Sequence, residues 1–137
     1  MISVTQKNNF GCGVACLAYA LKIDYDYLIK SSRIKKQAEN KGFTCRELIE
    51  ILKSNSLNYC YKYLKPKLKK KIYEDGSIVF IKVSKKYPIG HYLIRTNNLW
   101  IDPWINFRNQ KNVNKAKSGF RKRLPGKPIY VMFQIKK

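Results

Sequence analysis

Acidic residues and histidine are scarce in this sequence. Its 137 residues hold eight Asp or Glu against 29 Lys or Arg, which gives a formal net charge of +21, and only one histidine, His91. So large an excess of one sign favours contact with an acidic partner, such as nucleic acid, a membrane surface or an acidic peptide. The other interpretation of the charge is a solvated surface with no such partner. The single histidine limits any histidine-dependent chemistry to one position.

Long apolar runs and export signals are also absent. No stretch of 18 apolar residues occurs, so the sequence predicts no membrane span. The first residues lack the basic start, apolar centre and small-residue cleavage site of a secretory signal, which predicts a cytoplasmic location, in the producing cell or in a target cell. The four cysteines are then expected to be reduced thiols. Their spacing matches no paired zinc pattern, so neither a metal nor another cofactor is predicted.

What the sequence does contain is enough apolar material for a core. Apolar residues make up 45% of the chain, with ten Tyr, six Phe and two Trp, and this length predicts a single domain over residues 1–137. Helical periodicity dominates up to about residue 56, and alternation dominates from about residue 57 onwards. The sequence therefore predicts the α+β class, with N-terminal helices packed on an antiparallel sheet.

Three helices are predicted in the first part of the chain. Residues 12–22 carry apolar side chains at helical spacing, and a short helix follows at residues 25–30. The basic segment 31–42 is only weakly periodic and is predicted to be a linker. Thr44 and Glu47 have the spacing of a capping box, which predicts the start of the third helix.

Strands are predicted in the second part. The signals are alternation, β-branched apolar runs and a hairpin turn at Asn97-Asn98, whose side chains tolerate positive φ. Residues 105–127 are polar and basic and are predicted to form a connection. The predicted strands cover residues 57–64, 77–83, 91–96, 99–104 and 128–135.

Cys12 stands between Gly11 and Gly13, directly before the first apolar helix. At the first or second position of that helix, unpaired backbone N–H groups and the helix dipole would stabilise a thiolate. The two glycines would leave room for a substrate backbone to approach the sulfur. A nucleophilic thiol also needs a base or an imidazolium beside it, and His91 is the sole candidate. The alternative is a buried cysteine that only packs.

A two-residue turn at Asn97-Asn98 would place His91 and Asp102 on the same face of one hairpin. In that register residue 93 lies opposite residue 102, and alternate side chains point to the same face. His91 and Asp102 are then diagonal neighbours within reach of each other. The carboxylate would fix the imidazole tautomer and leave the second ring nitrogen for the thiol. Taken singly, a hydrogen-bonded histidine and an Asp-Pro strand exit also have ordinary structural explanations.

Two motifs resemble those of the bacteriocin-processing, double-glycine leader peptidases. The first is Gln6, followed after five residues by Cys-Gly-x-Ala-Cys-Leu-Ala at residues 12–18. The second is Gly-His-Tyr-Leu-Ile at residues 90–94, then a turn and a strand ending in Ile-Asp-Pro at residues 101–103. The resemblance covers residues 6–103 and implies a papain-like cysteine peptidase fold.

The resemblance also implies a role for each matching residue. Cys12 is implied to be the nucleophile, His91 the general base and acid, and Asp102 the residue that orients the imidazole. Gln6 would donate a hydrogen bond to the oxyanion together with the backbone N–H of Cys12. Cleavage after glycine is implied as well, because narrow papain-like clefts exclude side chains there. Cys16, one turn after Cys12, is interpreted as a packing residue.

Residues 104–137 contain ten Lys or Arg and no acidic residue, and the resemblance does not explain them. Together with the cluster Lys65–Lys71 they are expected to be mostly exposed and to form one or two positive surfaces, because burying unpaired ammonium groups is costly. The group Arg121–Arg123 is expected to belong to such a surface and to be independent of Cys12.

The main functional prediction is a Cys-His-Asp hydrolase, a cysteine peptidase that cleaves a peptide or protein substrate through an acyl-thioester. The excess of basic residues would favour an acidic substrate. The alternative is a small basic toxin domain of papain-like fold that acts on RNA or tRNA in the cytoplasm of a target cell, with basic clusters on the phosphates. Nucleic acid or an acidic immunity-type protein would then be its partner. A third interpretation is a catalytically inactive binding module.

Overall fold

The structure is a computed structural model that describes residues 2–85 and 87–135. Within these residues four α-helices precede six strands, and two 3-10 helices lie between strands. The α-helices are α1 (Cys12–Leu21), α2 (Tyr25–Leu28), α3 (Ser32–Asn40) and α4 (Cys45–Ser54). The strands are β1 (Tyr59–Tyr63), β2 (Ile78–Ile81), β3 (His91–Thr96), β4 (Leu99–Asp102), β5 (Gly119–Arg121) and β6 (Pro128–Gln134). The 3-10 helices are Pro66–Tyr73 and Val113–Lys115.

The strands form one antiparallel sheet in the order β1-β6-β2-β3-β4-β5. On one face, α1 packs against β3 and α4 packs against β1. Ile94 and Ile101 belong to the core between helices and sheet, whereas Leu93 and Trp100 belong to a second apolar cluster. Neighbouring residues of one strand thus enter different clusters, as alternation of side chains requires. The predicted α+β class, with helices on an antiparallel sheet, is confirmed.

The first helix begins at Cys12, as predicted, and every residue from Cys12 to Ala18 is buried. Its end is closed by Lys22, which has a φ of 58° and donates its backbone N–H to the carbonyls of Ala18 and Tyr19. Burial on all sides means that packing against neighbouring elements, rather than an amphipathic pattern, holds this helix in place. None of the described helices is long and apolar enough to cross a membrane.

The predicted capping box at the start of α4 is present. Thr44 Oγ1 accepts a hydrogen bond from the backbone N–H of Glu47 at 3.2 Å, and Glu47 Oε1 accepts one from the N–H of Thr44 at 2.9 Å. The helix then buries Leu48, Ile51 and Leu52, the residues that its periodicity indicated. A local motif therefore fixes where α4 begins, and its apolar stripe fixes how it packs.

The predicted linker at residues 31–42 is wrong, because most of it forms α3. Ser31 caps this helix by accepting a hydrogen bond from the N–H of Ile34. Only Ile34 and Ala38 are buried, four residues apart on one face of a polar and basic helix. Two apolar positions are too few to give a periodic signal. The preceding short helix ends at Leu28 rather than at residue 30.

The predicted connection at residues 105–127 contains a strand. β5 pairs antiparallel with β4 and extends the sheet beyond the hairpin, with Trp100 opposite Arg121 and Asp102 opposite Gly119. Three residues are too short to show alternation in the sequence, and the pairing partner lies 17 to 21 positions away. This strand matters for the site because it carries Arg121 to the neighbourhood of Asp102.

Most basic residues of the two predicted surfaces are exposed. At and within the first 3-10 helix the exposed basic residues are Lys65, Lys67, Lys69 and Lys70. After residue 104 they are Arg108, Lys111, Lys115, Lys117, Lys122, Arg123 and Lys127. Lys136 and Lys137 lie outside the described residues. The prediction is wrong for Arg121, which is half-buried and paired with an acid.

The glycines on either side of Cys12 serve packing rather than substrate approach. A Cβ on Gly11 would collide with the hydroxyl of Tyr25, and one on Gly13 would lie 2.9 Å from Leu48 Cδ1. Both glycines are buried, and neither lines the cleft at Cys12. The predicted role of room for a substrate backbone is therefore wrong. Gly11 and Gly13 allow the start of α1 to lie close to α2 and α4.

This packing predicts a strong coupling between residues 11 and 25. Gly11→Ala should lower the free energy of unfolding by about 1–3 kcal/mol, as overpacking does. Because the obstructing atom is the Tyr25 hydroxyl, Gly11→Ala combined with Tyr25→Phe should cost less than the two single changes added together. Urea denaturation of the four proteins measures this. Gly126→Ala, whose Cβ would come no closer than 3.3 Å to the side chain of Ile81, is the control. Strict additivity would contradict the prediction.

Candidate active site

The β3–β4 hairpin brings His91 and Asp102 together, as its predicted turn requires. Asn97-Asn98 has φ values of 46° and 65°, the conformation of a two-residue hairpin turn, and Thr96 lies opposite Leu99. His91 Nε2 is 2.7 Å from Asp102 Oδ1. The predicted register and the predicted proximity of the two side chains are confirmed.

The residue before the histidine is a glycine for a steric reason. Gly90 has a φ of 79°, which L side chains rarely adopt, and a Cβ there would collide with the ring of Phe80. This turn lets the chain enter β3 with His91 at the end of the strand nearest to Asp102. The Gly-His pair of the sequence motif therefore has a backbone explanation.

The histidine and the aspartate are shielded from solvent. His91 is 5% exposed and Asp102 is 0% exposed. The ring of Tyr87 stacks on the imidazole with centroids 4.6 Å apart and planes 3° from parallel. The backbone N–H of Trp104 donates to Asp102 Oδ1 at 3.0 Å. Shielding keeps the hydrogen bond between His91 and Asp102 out of competition with water, which strengthens it.

Cys12 lies at the first position of α1 and is 7% exposed. Its backbone N–H has no acceptor within the helix because of this position. The side chain lies close enough to His91 to raise the pKa of the imidazole. Because Nε2 of the imidazole faces Asp102, Nδ1 is the nitrogen left for the sulfur. Burial raises the pKa of Cys16 well above its ordinary value, as for a thiol that packs.

The protonation states of the pair follow from opposing effects. Burial alone lowers the pKa of His91, but its hydrogen bonds to Asp102 and Cys12, with the negative charge of both, raise it to about 9. Burial raises the pKa of Asp102, whereas hydrogen bonds from His91, Arg121 and the Trp104 backbone lower it to about 2. The arrangement therefore favours an imidazolium beside a carboxylate at neutral pH.

Arg121 contacts the second oxygen of the same carboxylate. Its Nε donates to Asp102 Oδ2 at 2.6 Å, and its Nη2 donates to the carbonyl of Ile105 at 3.4 Å. The side chain is 24% exposed. The expectation that this arginine belongs to a surface independent of Cys12 is wrong, because it is bonded to the partner of His91.

Gln6 lies in the wall of the cleft but its amide faces its own loop. The residue is 2% exposed, and Nε2 donates to the carbonyls of Asn8 at 3.0 Å and Asn9 at 3.3 Å. Within the described part of the chain its Oε1 has no hydrogen-bond partner. The backbone N–H of Gln6 donates to the carbonyl of Pro103 at 3.2 Å, which ties this segment to the turn after Asp102.

A cleft of about 200 Å³ opens at Cys12 and His91. Gln6 forms part of its wall, and among the described residues of the wall the charged side chain besides His91 is Lys111. The rest of the wall is mostly apolar: Phe10, Pro88, Ile89, Trp104 and Phe107. This geometry can hold a short extended segment with one carbonyl beside the sulfur.

Two residues of the site were not predicted from the sequence. The sequence places Arg121 on an exposed surface and gives no assignment for Tyr87. A signal for Arg121 exists in retrospect, since Gly-Phe-Arg is a short run that can extend a hairpin, but three residues do not specify a pairing partner. Tyr87 is followed by Pro88, and no local pattern links its ring to His91.

Comparison with known proteins places the chain in a family. Residues 2–129 match the Peptidase C39 family, and the chain belongs to it. The fold is similar to that of the peptidase domain of Streptococcus ComA, a bifunctional ABC transporter involved in a quorum-sensing pathway. The TM-score is 0.61 at 21% identity, over 98% of this chain and 97% of that one. No curated protein sequence matches the chain significantly.

These findings confirm the resemblance to bacteriocin-processing peptidases, the papain-like fold and the prediction of a cysteine peptidase. A peptide is therefore the class of substrate. Nothing in them supports the alternative of a toxin that acts on RNA, or a partner that is nucleic acid or an immunity protein.

The histidine titration provides the first test of this geometry. His91 is the only histidine of the chain, so its ring signals in NMR spectra need no assignment. We expect the titration of His91 to have its midpoint near pH 9. The midpoint should be lower in Asp102→Asn and in Cys12→Ala, since each change removes a partner that stabilises the imidazolium. Asp75→Asn, which neutralises an exposed acid beside the hairpin turn, should leave the midpoint unchanged. An unchanged midpoint in Asp102→Asn would contradict the assigned hydrogen bond.

Proposed function

We propose that Cys12, His91 and Asp102 form a catalytic triad that cleaves a peptide bond through an acyl-thioester. The observation that carries this proposal is the position of His91, which is hydrogen-bonded to Asp102 at 2.7 Å and lines the same cleft as Cys12. A thiol, an imidazole and an orienting carboxylate in this order are the components of nucleophilic catalysis. We also infer that residues 1–137 act as one domain, because one sheet supports both apolar clusters.

In the first half of the reaction, the proton of the Cys12 thiol is already on His91 Nδ1, because the raised pKa of the imidazole favours the imidazolium. The thiolate attacks the carbonyl carbon of the substrate, and the carbonyl oxygen becomes negatively charged. As the C–N bond breaks, the Nδ1–H of the imidazolium protonates the leaving amine. Asp102 keeps its bond to Nε2–H throughout, which holds the ring and stabilises its positive charge. The product of this half is an acyl-thioester on Cys12.

In the second half, neutral His91 accepts a proton from water at Nδ1. The resulting hydroxide attacks the thioester carbonyl, the C–S bond breaks and the sulfur leaves as a thiolate paired with the imidazolium. A carboxylic acid product leaves and the starting state of the site returns.

The oxyanion would be held by the backbone N–H of Cys12 and by the Gln6 amide. The first donor is supported by the position of Cys12 at the start of α1, where the N–H groups point out of the helix. For Gln6, the bond to Asn9 is the longer of its two at 3.3 Å. We propose that Nε2 exchanges this bond for the oxyanion, which offers a charged and therefore stronger acceptor.

A glycine before the cleaved bond is the substrate feature that the cleft favours. Its volume of about 200 Å³ is below the range of roughly 300–1,000 Å³ typical of ligand pockets. Rings of Tyr87, Trp104 and Phe107 line it beside His91, and a β-carbon on the substrate residue would meet these walls. The exposed lysines and arginines would attract a substrate that is acidic elsewhere along its length.

Variants of the four proposed residues test this function. Cys12→Ala and His91→Ala should abolish cleavage of a Gly-Gly-containing peptide, and Asp102→Asn should weaken it. Gln6→Ala should raise the barrier by roughly 2.7–4 kcal/mol, the range for loss of an oxyanion donor. Cys60→Ala, in β1 and outside the cleft wall, is the matched cysteine control.

Mass spectrometry of the peptide products gives the cleavage position. Replacing the glycine before the cleaved bond by valine should slow cleavage if the cleft excludes side chains. Full activity of Cys12→Ala would exclude the thiol mechanism. Degradation of RNA by the wild-type protein, lost in His91→Ala, would instead favour a nuclease.

The pH profile of the reaction follows from the histidine. Because the pKa of His91 is about 9, kcat/KM should decline as the pH rises through about 9, where the imidazolium that protonates the leaving amine is lost. Asp102→Asn should move this decline to lower pH, since it removes a group that raises the pKa of His91. A decline that does not move in Asp102→Asn would show that another group limits the alkaline side.

A further inference from the structure

We propose that Arg121 is a positioning residue of this site, which holds Asp102 and sets the basicity of His91 through it. The inference rests on the proposed function and extends it to a residue outside the triad. Its basis is a closed ring of contacts among four side chains: His91, Asp102, Arg121 and Tyr87.

The first part of the ring is the shared carboxylate. Asp102 is fully buried and gives Oδ1 to His91 at 2.7 Å and Oδ2 to Arg121 at 2.6 Å. A buried carboxylate bonded only through one oxygen would leave the other oxygen desolvated and without a compensating donor, which is unfavourable. Arg121 supplies the missing donor and fixes the plane of the carboxylate, and thereby the direction in which Oδ1 faces the imidazole.

The second part of the ring is Tyr87. Its aromatic ring lies flat on the imidazole of His91, and Arg121 lies near enough to its hydroxyl to offset part of the rise that burial causes in the pKa of Tyr87. The imidazole is thus held at its edge by the carboxylate and on its face by the tyrosine, and Arg121 joins both of these supports.

The sheet register explains why residue 121 reaches this place. Arg121 lies opposite Trp100, and Gly119 lies opposite Asp102. Alternation puts the side chains of residues 100, 102 and 121 on the same face, so Arg121 is the diagonal neighbour of Asp102 across β4 and β5. His91 is the diagonal neighbour on the other side, across β3 and β4. Asp102 on β4 therefore lies between two basic residues, His91 on β3 and Arg121 on β5.

The charge of Arg121 has a definite effect on the histidine. A guanidinium beside Asp102 stabilises the carboxylate, and it also repels the imidazolium on the other side of that carboxylate. The Asp102 contact raises the pKa of His91, and Arg121 limits that rise. A catalytic base works best when its pKa is close to the working pH, so this restraint favours turnover near neutrality.

The test is the titration of His91 by NMR in a Cys12→Ala background, where the thiol no longer contributes. Loss of the guanidinium charge in Arg121→Met should raise the midpoint by about one pH unit. Arg123→Met removes the same charge from an exposed position two residues away and is the matched control; its midpoint should equal that of Cys12→Ala alone. In the protein with Cys12 intact, Arg121→Met should shift the alkaline decline of kcat/KM to higher pH by the same amount.

Equal midpoints for the Arg121→Met and Arg123→Met proteins, or a lower one for Arg121→Met, would overturn the proposal. Amide spectra report whether each variant is folded. If Arg121→Met is not folded, Arg121→Gln keeps a neutral hydrogen-bond donor for Asp102, and this variant must still raise the titration midpoint of His91. The titration needs no substrate, so it tests the role of Arg121 independently of the role of Cys12. If Cys12 is not the nucleophile, peptide cleavage by Cys12→Ala shows that separately.

Discussion

The site depends on one fully buried carboxylate, that of Asp102. A buried anion is stable only if its oxygens are bonded and its charge is balanced. Here the donors come from three places: His91 on β3, Arg121 on β5 and the backbone N–H of Trp104 after β4. Satisfying one carboxylate therefore holds three segments of the chain together at one end of the sheet, and it is at this end that the imidazole is presented to Cys12.

The position of Cys12 is fixed by a second set of contacts, which joins the N-terminal segment to the same end of the sheet. The backbone of Gln6 is bonded to Pro103, directly after the buried aspartate, and Thr5 donates to Ser118, directly before β5. The glycines beside Cys12 then allow α1 to lie close to its neighbouring helices. Cys12 and His91 lie 79 positions apart in the sequence, yet they are placed by hydrogen bonds that meet around residues 102, 103 and 118.

The features predicted correctly from the sequence are those whose cause is local. The capping box at Thr44 and the turn at Asn97-Asn98 each lie within a few residues, and the turn length alone decides that His91 and Asp102 share a face. The residues missed depend on distant partners. Arg121 needs a pairing between β4 and β5, and α3 needs a tertiary surface for two side chains. The amide of Gln6 was expected in the cleft, but carbonyls of its own loop compete for it.

The charges of the chain fall into two groups that differ in how strongly salt screens them. At the site, Asp102 faces two basic groups, and these charges are buried or half-buried, so they interact through a medium in which salt screens little. The remaining lysines and arginines are mostly exposed and act through water, where their effect fades over about 8 Å at physiological ionic strength. Long-range attraction of an acidic segment should therefore depend on salt, whereas the basicity of His91 should not. A sequence this basic can thus keep a balanced site, because the charge that sets the chemistry comes from one arginine placed by a strand and not from the total.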